Sequence, residues 1–189
     1  AIYPLSPMQE GMLFHTLTSP GSGIYVMQDR YEIHGEINLA AFRGAWQTVV
    51  DRNPILRTSF DWSGTRPLQL VQRDSVLPFD YLDWSDDSEQ ERLVRLEALL
   101  RSEQESGFDL GNGSLFHIRI INCGNQRYFC IRSYHHILMD EWCTSPMFLE
   151  FRGYYEALSQ NRPLPVNQLR PFRDYIDWLE SQDNYIIAS

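Results

Sequence analysis

Two rhythms alternate along this chain, apolar residues at every second position and apolar residues at every third or fourth, and the switches between them mark out its elements. After Pro4, Ser6 heads a helix to about Thr16 with apolar positions Met8, Met12 and Leu13, and Leu17 just beyond. Residues 19–23 have loop composition, and Tyr25, Met27, Tyr31 and Ile33 then alternate through a strand. Asn38 caps a second helix with the stripe Leu39, Phe42, Trp46, Val49 and Val50, which Pro54 stops. Residues 56–62 and 67–72 read as a hairpin turning at Ser63 and Gly64, and residues 79–82 as a further short strand. The acidic run 83–91 suits the positive end of a long helix, with Leu93, Leu96, Leu99 and Leu100 as its buried side and Gly107 as its stop.

Residues 115–121 and 126–134 form a second hairpin around the turn residues 122–125. Its second strand alternates as a half-buried strand does and runs straight into His135 and His136. The period then changes: Met147, Phe148, Phe151, Tyr154, Tyr155 and Leu158 are spaced as in a helix, with Thr144 or Ser145 as its cap and Pro146 in its first turn. A Pro-rich link, residues 162–171, leads to a last helix over 171–181. The class is α/β, a mixed β-sheet with helices packed on it.

Composition bounds the function. At 189 residues, with 43% hydrophobic and 13% aromatic content, the chain supports one domain with an ordinary core. A formal charge of −9, with basic residues clustered only at Arg162, Arg170 and Arg173, argues against a nucleic-acid partner. Three cysteines, Cys123, Cys130 and Cys143, are an odd count without paired spacing, which fits free thiols in a cytoplasmic setting. No apolar run reaches the roughly 18 residues of a membrane helix, and no basic-then-apolar leader opens the chain. Both ends fall inside sequence that already reads as structured, so a longer protein is expected around it.

The chemistry concentrates in SYHHILMDEW, where His135 and His136 are followed by Asp140 at a strand-to-helix junction. Strand parity puts His135 with Phe129, Ile131 and Ser133, and His136 with Tyr128, Cys130, Arg132 and Tyr134. One imidazole therefore looks into packing and the other toward polar company. A metal site competes weakly, because neighbouring strand histidines diverge and His15, His34 and His117 lie in unrelated elements. Cys143 is a rival nucleophile that lacks an orienting partner in the sequence. Two buried, hydrogen-bonded core histidines remain the bland alternative. Asp140 is either a helix cap or the partner of an arginine, with Arg57 the candidate, and in both cases architectural.

Four ordered stretches resemble one family, the condensation domains of nonribosomal peptide synthetases. YPLSPMQEGMLFHTL (3–17) is similar to the family's opening motif, RNPILRTSF (52–60) to its arginine motif with Asn53 where His is usual, HHILMDEW (135–142) to its HHxxxDG signature, and PFRDYIDWL (171–179) to the motif that follows. The resemblance implies a chloramphenicol acetyltransferase-like lobe. It implies amide formation between donor and acceptor substrates tethered by phosphopantetheine arms to two peptidyl carrier proteins, with no cofactor bound by the chain itself. By motif position His136 is the catalytic histidine, His135 its structural neighbour, and Asp140 with Arg57 a framework salt bridge.

Little base strength is needed, since moving a proton from an α-amine (pKa about 7.7–8.0) to an ordinary imidazole (about 6.5) costs about 2 kcal/mol. Positioning the amine contributes more, up to about 7–11 kcal/mol in the best intramolecular models.

Two departures matter. Glu141 stands where the family has glycine, so its side chain either obstructs the substrate channel, favours imidazolium by its charge, or points into solvent. The chain also ends where the family's first lobe ends, so residues 1–189 are expected to be the N-terminal lobe, lacking the C-terminal lobe and neighbouring synthetase domains and inactive alone. Two other readings stay open: a silent lobe that only docks a carrier protein, and an acetyltransferase of the chloramphenicol acetyltransferase type that completes its site by oligomerising.

Overall fold

The computed structural model describes residues 1–166 and 170–187, with side chains described through residue 182. The order is β1 (Ile2–Pro4), α1 (Pro7–Thr18), β2 (Val26–His34), α2 (Leu39–Arg52), β3 (Thr58–Asp61), β4 (Leu68–Val71), β5 (Phe79–Asp83), α3 (Glu89–Ser106), β6 (Phe116–Asn122), β7 (Arg127–His135), α4 (Thr144–Ser159) and α5 (Phe172–Ile187). Part of the Pro-rich link read at 162–171 lies outside the described residues.

The strands form two sheets. The larger, ordered β2-β7-β6-β5, is mixed: β5 and β6 run parallel and the other pairs antiparallel. The smaller, β1-β4-β3, is antiparallel throughout, so the expected single mixed sheet is one of two.

Local signals set the boundaries. Ser6 and Gln9 close a capping box at the start of α1, Asn38 caps α2 through the Ala41 amide, and Ser88 with Glu91 makes a second box at α3. Gly107 ends α3 at φ 64°, a conformation that costs glycine nothing.

The larger sheet is covered on both sides. Trp46, Val49 and Val50 of α2 and Met147 and Tyr154 of α4 pack with Phe116, Ile118, Ile120, Cys130 and Tyr134 on one face. Leu96 of α3, flanked by Leu99 and Leu100, packs with Trp84, Ile121, Cys123, Phe129 and Ile131 on the other. β7 is therefore buried on both faces from Phe129 to His135, where its alternation predicts a half-buried strand. The polar residues that made it look exposed, Arg132 and Ser133, are paired inside.

Two helix stripes are narrower than their spacing suggests. On α1 only Gln9 and Leu13 are buried while Met8 and Leu17 are exposed, and on α3 Leu93 lies outside.

Candidate active site

β7 ends at His135, so strand parity governs His135, and a turn governs His136. His135 falls on the α3 face as parity predicts and is 2% exposed. Its Nδ1 accepts the Ile137 amide at 3.1 Å, which leaves the proton on Nε2. Nε2–H then donates to Thr16 Oγ1 at 3.1 Å, and that hydroxyl donates on to the Met12 carbonyl at 2.8 Å. Burial, and then the neighbouring His136, push the His135 pKa down to about 4. This ring is a neutral structural strut.

His136 is half-buried. Its amide donates to the Tyr25 carbonyl at 2.8 Å, which continues the β2–β7 ladder by one bond. Its Nδ1 lies 2.8 Å from the Met139 carbonyl, and since a carbonyl only accepts, Nδ1 carries the proton in the neutral ring. Nε2 has no hydrogen-bond partner among the described residues and keeps its lone pair. One imidazole is thus fully engaged, and the other presents a free basic nitrogen in a fixed tautomer.

The expected Arg57–Asp140 salt bridge does not form. Asp140 is exposed and accepts from the Cys143 amide at 3.3 Å, capping the 3₁₀ turn Glu141–Cys143 that runs directly into α4. That turn leaves no capping task for Thr144 or Ser145; Cys143 occupies the helix boundary without a side-chain cap bond. Arg57 instead donates through Nη1 to the carbonyls of Gln72 and Arg73. Asp140 is taken by its local amide and Arg57 Nη1 by two carbonyls, while Arg57 Nε is buried without a hydrogen-bond partner among the described residues.

The ion pair beneath this junction is a different one. Arg132 is fully buried and donates to Asp29 Oδ2 through Nε at 3.0 Å, to Thr144 Oγ1 at 3.1 Å and to Met147 Sδ at 3.7 Å, with its guanidinium over the Tyr134 and Phe148 rings. It fastens β2, β7 and the start of α4 together. The sequence reading missed it, because the direct cross-strand pairing of Asp29 with Arg132 depends on register between segments a hundred residues apart.

Of the remaining candidates, Glu141 is exposed and its side chain makes no hydrogen bond among the described residues. Cys143 donates its thiol to Asp140 Oδ1 at 3.4 Å, and desolvation by its surroundings raises its pKa, the opposite of an activated nucleophile. His15, His34 and His117 do not join the cluster, and among the described residues no group of three metal-ligating side chains converges.

A half-buried imidazole at the head of a strand-to-helix turn, on an α/β lobe with helices on both faces of a mixed sheet, defines a histidine-centred site. The Condensation domain family model matches residues 1–185, and the chain belongs to that family. It is 40% identical over 183 residues to one of the linear gramicidin synthase proteins of Brevibacillus parabrevis, covering 96% of this chain and 2% of that protein. It is 34% identical over 183 residues to bacitracin synthase 1 of Bacillus licheniformis, covering 96% of this chain and 4% of the relative. Among solved structures, the starter condensation domain of rhizomide synthetase superposes with a TM-score of 0.84 at 22% identity, over 99% of this chain and 44% of that one. A four-domain nonribosomal peptide synthetase bound to AMP and glycine superposes at 0.71 with 20% identity, over 82% of this chain and 12% of that one. The fold is that of condensation domains. The chain spans less than half of either solved chain and a small part of either synthase.

Proposed function

We propose that this chain is the N-terminal lobe of a nonribosomal peptide synthetase condensation domain. Together with a C-terminal lobe it joins an aminoacyl or peptidyl thioester donor to an aminoacyl acceptor, both held on phosphopantetheine arms of carrier proteins. The observation that carries this reading is the His136 ring: Nδ1–H is committed to the Met139 carbonyl, so Nε2 is left as an acceptor at a half-exposed position. Nε2 accepts a hydrogen bond from the attacking amine, which orients the nitrogen toward the thioester carbonyl. As the C–N bond forms and the C–S bond breaks, the amine proton passes through Nε2 to the departing thiol. Asp140, as the cap of the following turn, and His135, as a neutral strut, hold the turn in place.

The relatives support the setting, being synthases for linear gramicidin and bacitracin. The free thiols Cys123, Cys130 and Cys143 support a reducing, cytoplasmic one.

The test is His136→Ala in a protein carrying both lobes, assayed for amide formation with loaded donor and acceptor carrier proteins. Turnover is expected to fall by about 10²–10⁴-fold with the fold intact. Unchanged turnover removes His136 from the reaction.

A further inference from the structure

α1 holds the histidine turn at two points, and only Thr16 touches an imidazole. The other is Gln9, 4% exposed, whose Nε2 donates to the Ile137 carbonyl at 3.1 Å. Ile137 immediately follows His136 and its own amide is bound to His135 Nδ1, so the peptide groups on both sides of Ile137 are fixed.

Gln9 is itself fixed by Gln69 of β4, which is fully buried. The two amides form a reciprocal pair: Gln9 Nε2 donates to Gln69 Oε1 at 3.2 Å, and Gln69 Nε2 donates to Gln9 Oε1 at 3.0 Å. The second N–H of Gln69 goes to the Pro4 carbonyl at 3.0 Å, and Gln9 Oε1 also accepts the Ser6 amide at 3.0 Å. Every N–H of both side chains is used. The network also sets the amide orientation, because a flipped Gln9 would turn oxygen toward the Ile137 carbonyl and N–H toward the Ser6 amide. Two buried amides are costly to desolvate, and an apolar pair would serve packing better unless the polar link has a task.

We propose that Gln9, locked by Gln69, is a positioning residue: by clamping the Ile137 carbonyl it fixes the turn from His135 to Met139, and so keeps the Met139 carbonyl where it holds the His136 tautomer. This rests on the reading of His136 as the reactive imidazole. Among the described residues the His136 ring is hydrogen-bonded only to the Met139 carbonyl oxygen, three residues on, so the path of the intervening peptides decides whether Nε2 or Nδ1 is the free nitrogen. With the clamp released, the carbonyl can swing away and the ring samples both tautomers, which removes the acceptor from its fixed direction. Gln9 thereby couples the cap of α1 to the reactive turn.

The experiment compares Gln9→Met, which deletes the clamp, with Gln69→Met, which deletes only its support and leaves the donor to Ile137. Histidine ¹⁵N resonances of the chain report the His136 tautomer, and turnover is measured in the two-lobe protein. The expected result is a single Nδ1–H form in the parent chain and in Gln69→Met, and a mixture in Gln9→Met. Alongside it, kcat falls about 10- to 100-fold for Gln9→Met, with KM for the loaded carriers little changed. If Gln9→Met does not fold, Gln9→Asn, one methylene too short for the clamp, replaces it. A parent-like tautomer in a folded Gln9 variant overturns the proposal, as does a kcat loss that merely follows thermal stability across both positions. Should His136→Ala remain active, the reading of the reaction fails, and the tautomer measurement still decides what Gln9 does.

Discussion

Of the two adjacent histidines, one ring has both nitrogens engaged in structure and the other keeps a nitrogen free among the described residues. His135 has both nitrogens occupied, and burial, which penalises the charged ring, followed by the neighbouring His136, brings its pKa down to about 4. An unfolded chain protonates this histidine near the ordinary value of about 6.5, so between roughly pH 6.5 and 4 the unfolded state binds the extra proton. The stability that the neutral ring contributes is complete above that window and is lost as the pH falls through it, at up to about 1.4 kcal/mol per pH unit. Half-buried His117, lowered by burial as well, adds to the slope in the same direction. Denaturant titrations from about pH 7.5 to 4 are expected to show a shallower acid slope for His135→Gln than for the parent. Equal slopes would mean that His135 does not resist protonation.

At the level of elements, the loop after α1 depends on one close approach. Gly23 has φ 61°, and a Cβ there would run into the Gln104 carbonyl oxygen of α3. Gly11, inside α1, has open space around the same position. Gly23→Ala is therefore expected to destabilise by about 2–4 kcal/mol and Gly11→Ala to stabilise by about 0.5–1 kcal/mol, as denaturation midpoints will show. α3 is held beside this loop by Glu103, which accepts from Ser133 at 2.8 Å and Gln28 at 2.9 Å and pairs with Arg119. What was legible in sequence follows the same division between near and far. Caps at Ser6 and Asn38, the stop at Gly107 and both hairpins were readable, because each is decided by a few neighbouring residues. Whether Asp140 would cap or pair was a contest between a local amide and a remote guanidinium, and the spacing of residues carries no information about the remote one. Gln9 stood in plain view three residues after the Ser6 cap, but its Nε2 contact and its partner Gln69 appear only once β4 and the histidine turn are brought together.

For the whole molecule, the question is how much chemistry one lobe supports. His136 is half-exposed, and Met8 and Phe14 on α1, Trp142 beside the turn and Leu149 on α4 leave large apolar surface in water, at 73%, 61%, 87% and 64% exposure. In the reaction proposed above, the amine and the thioester must be held together beside Nε2 while water is kept out, and a single wall can orient neither arm. The relevant comparison is with an assembly of about twice the length, since this chain spans 44% of the starter condensation domain it superposes on. The chain alone, mixed with donor and acceptor carrier proteins both loaded, is expected to give no product above the uncatalysed rate, although its fold and the His136 tautomer are intact. The same assay on a protein that continues into a second lobe is expected to give turnover that His136→Ala lowers by about 10²–10⁴-fold. Product formation by the chain alone, eliminated by His136→Ala, would show that one lobe suffices and that the second serves carrier docking instead of the chemical step.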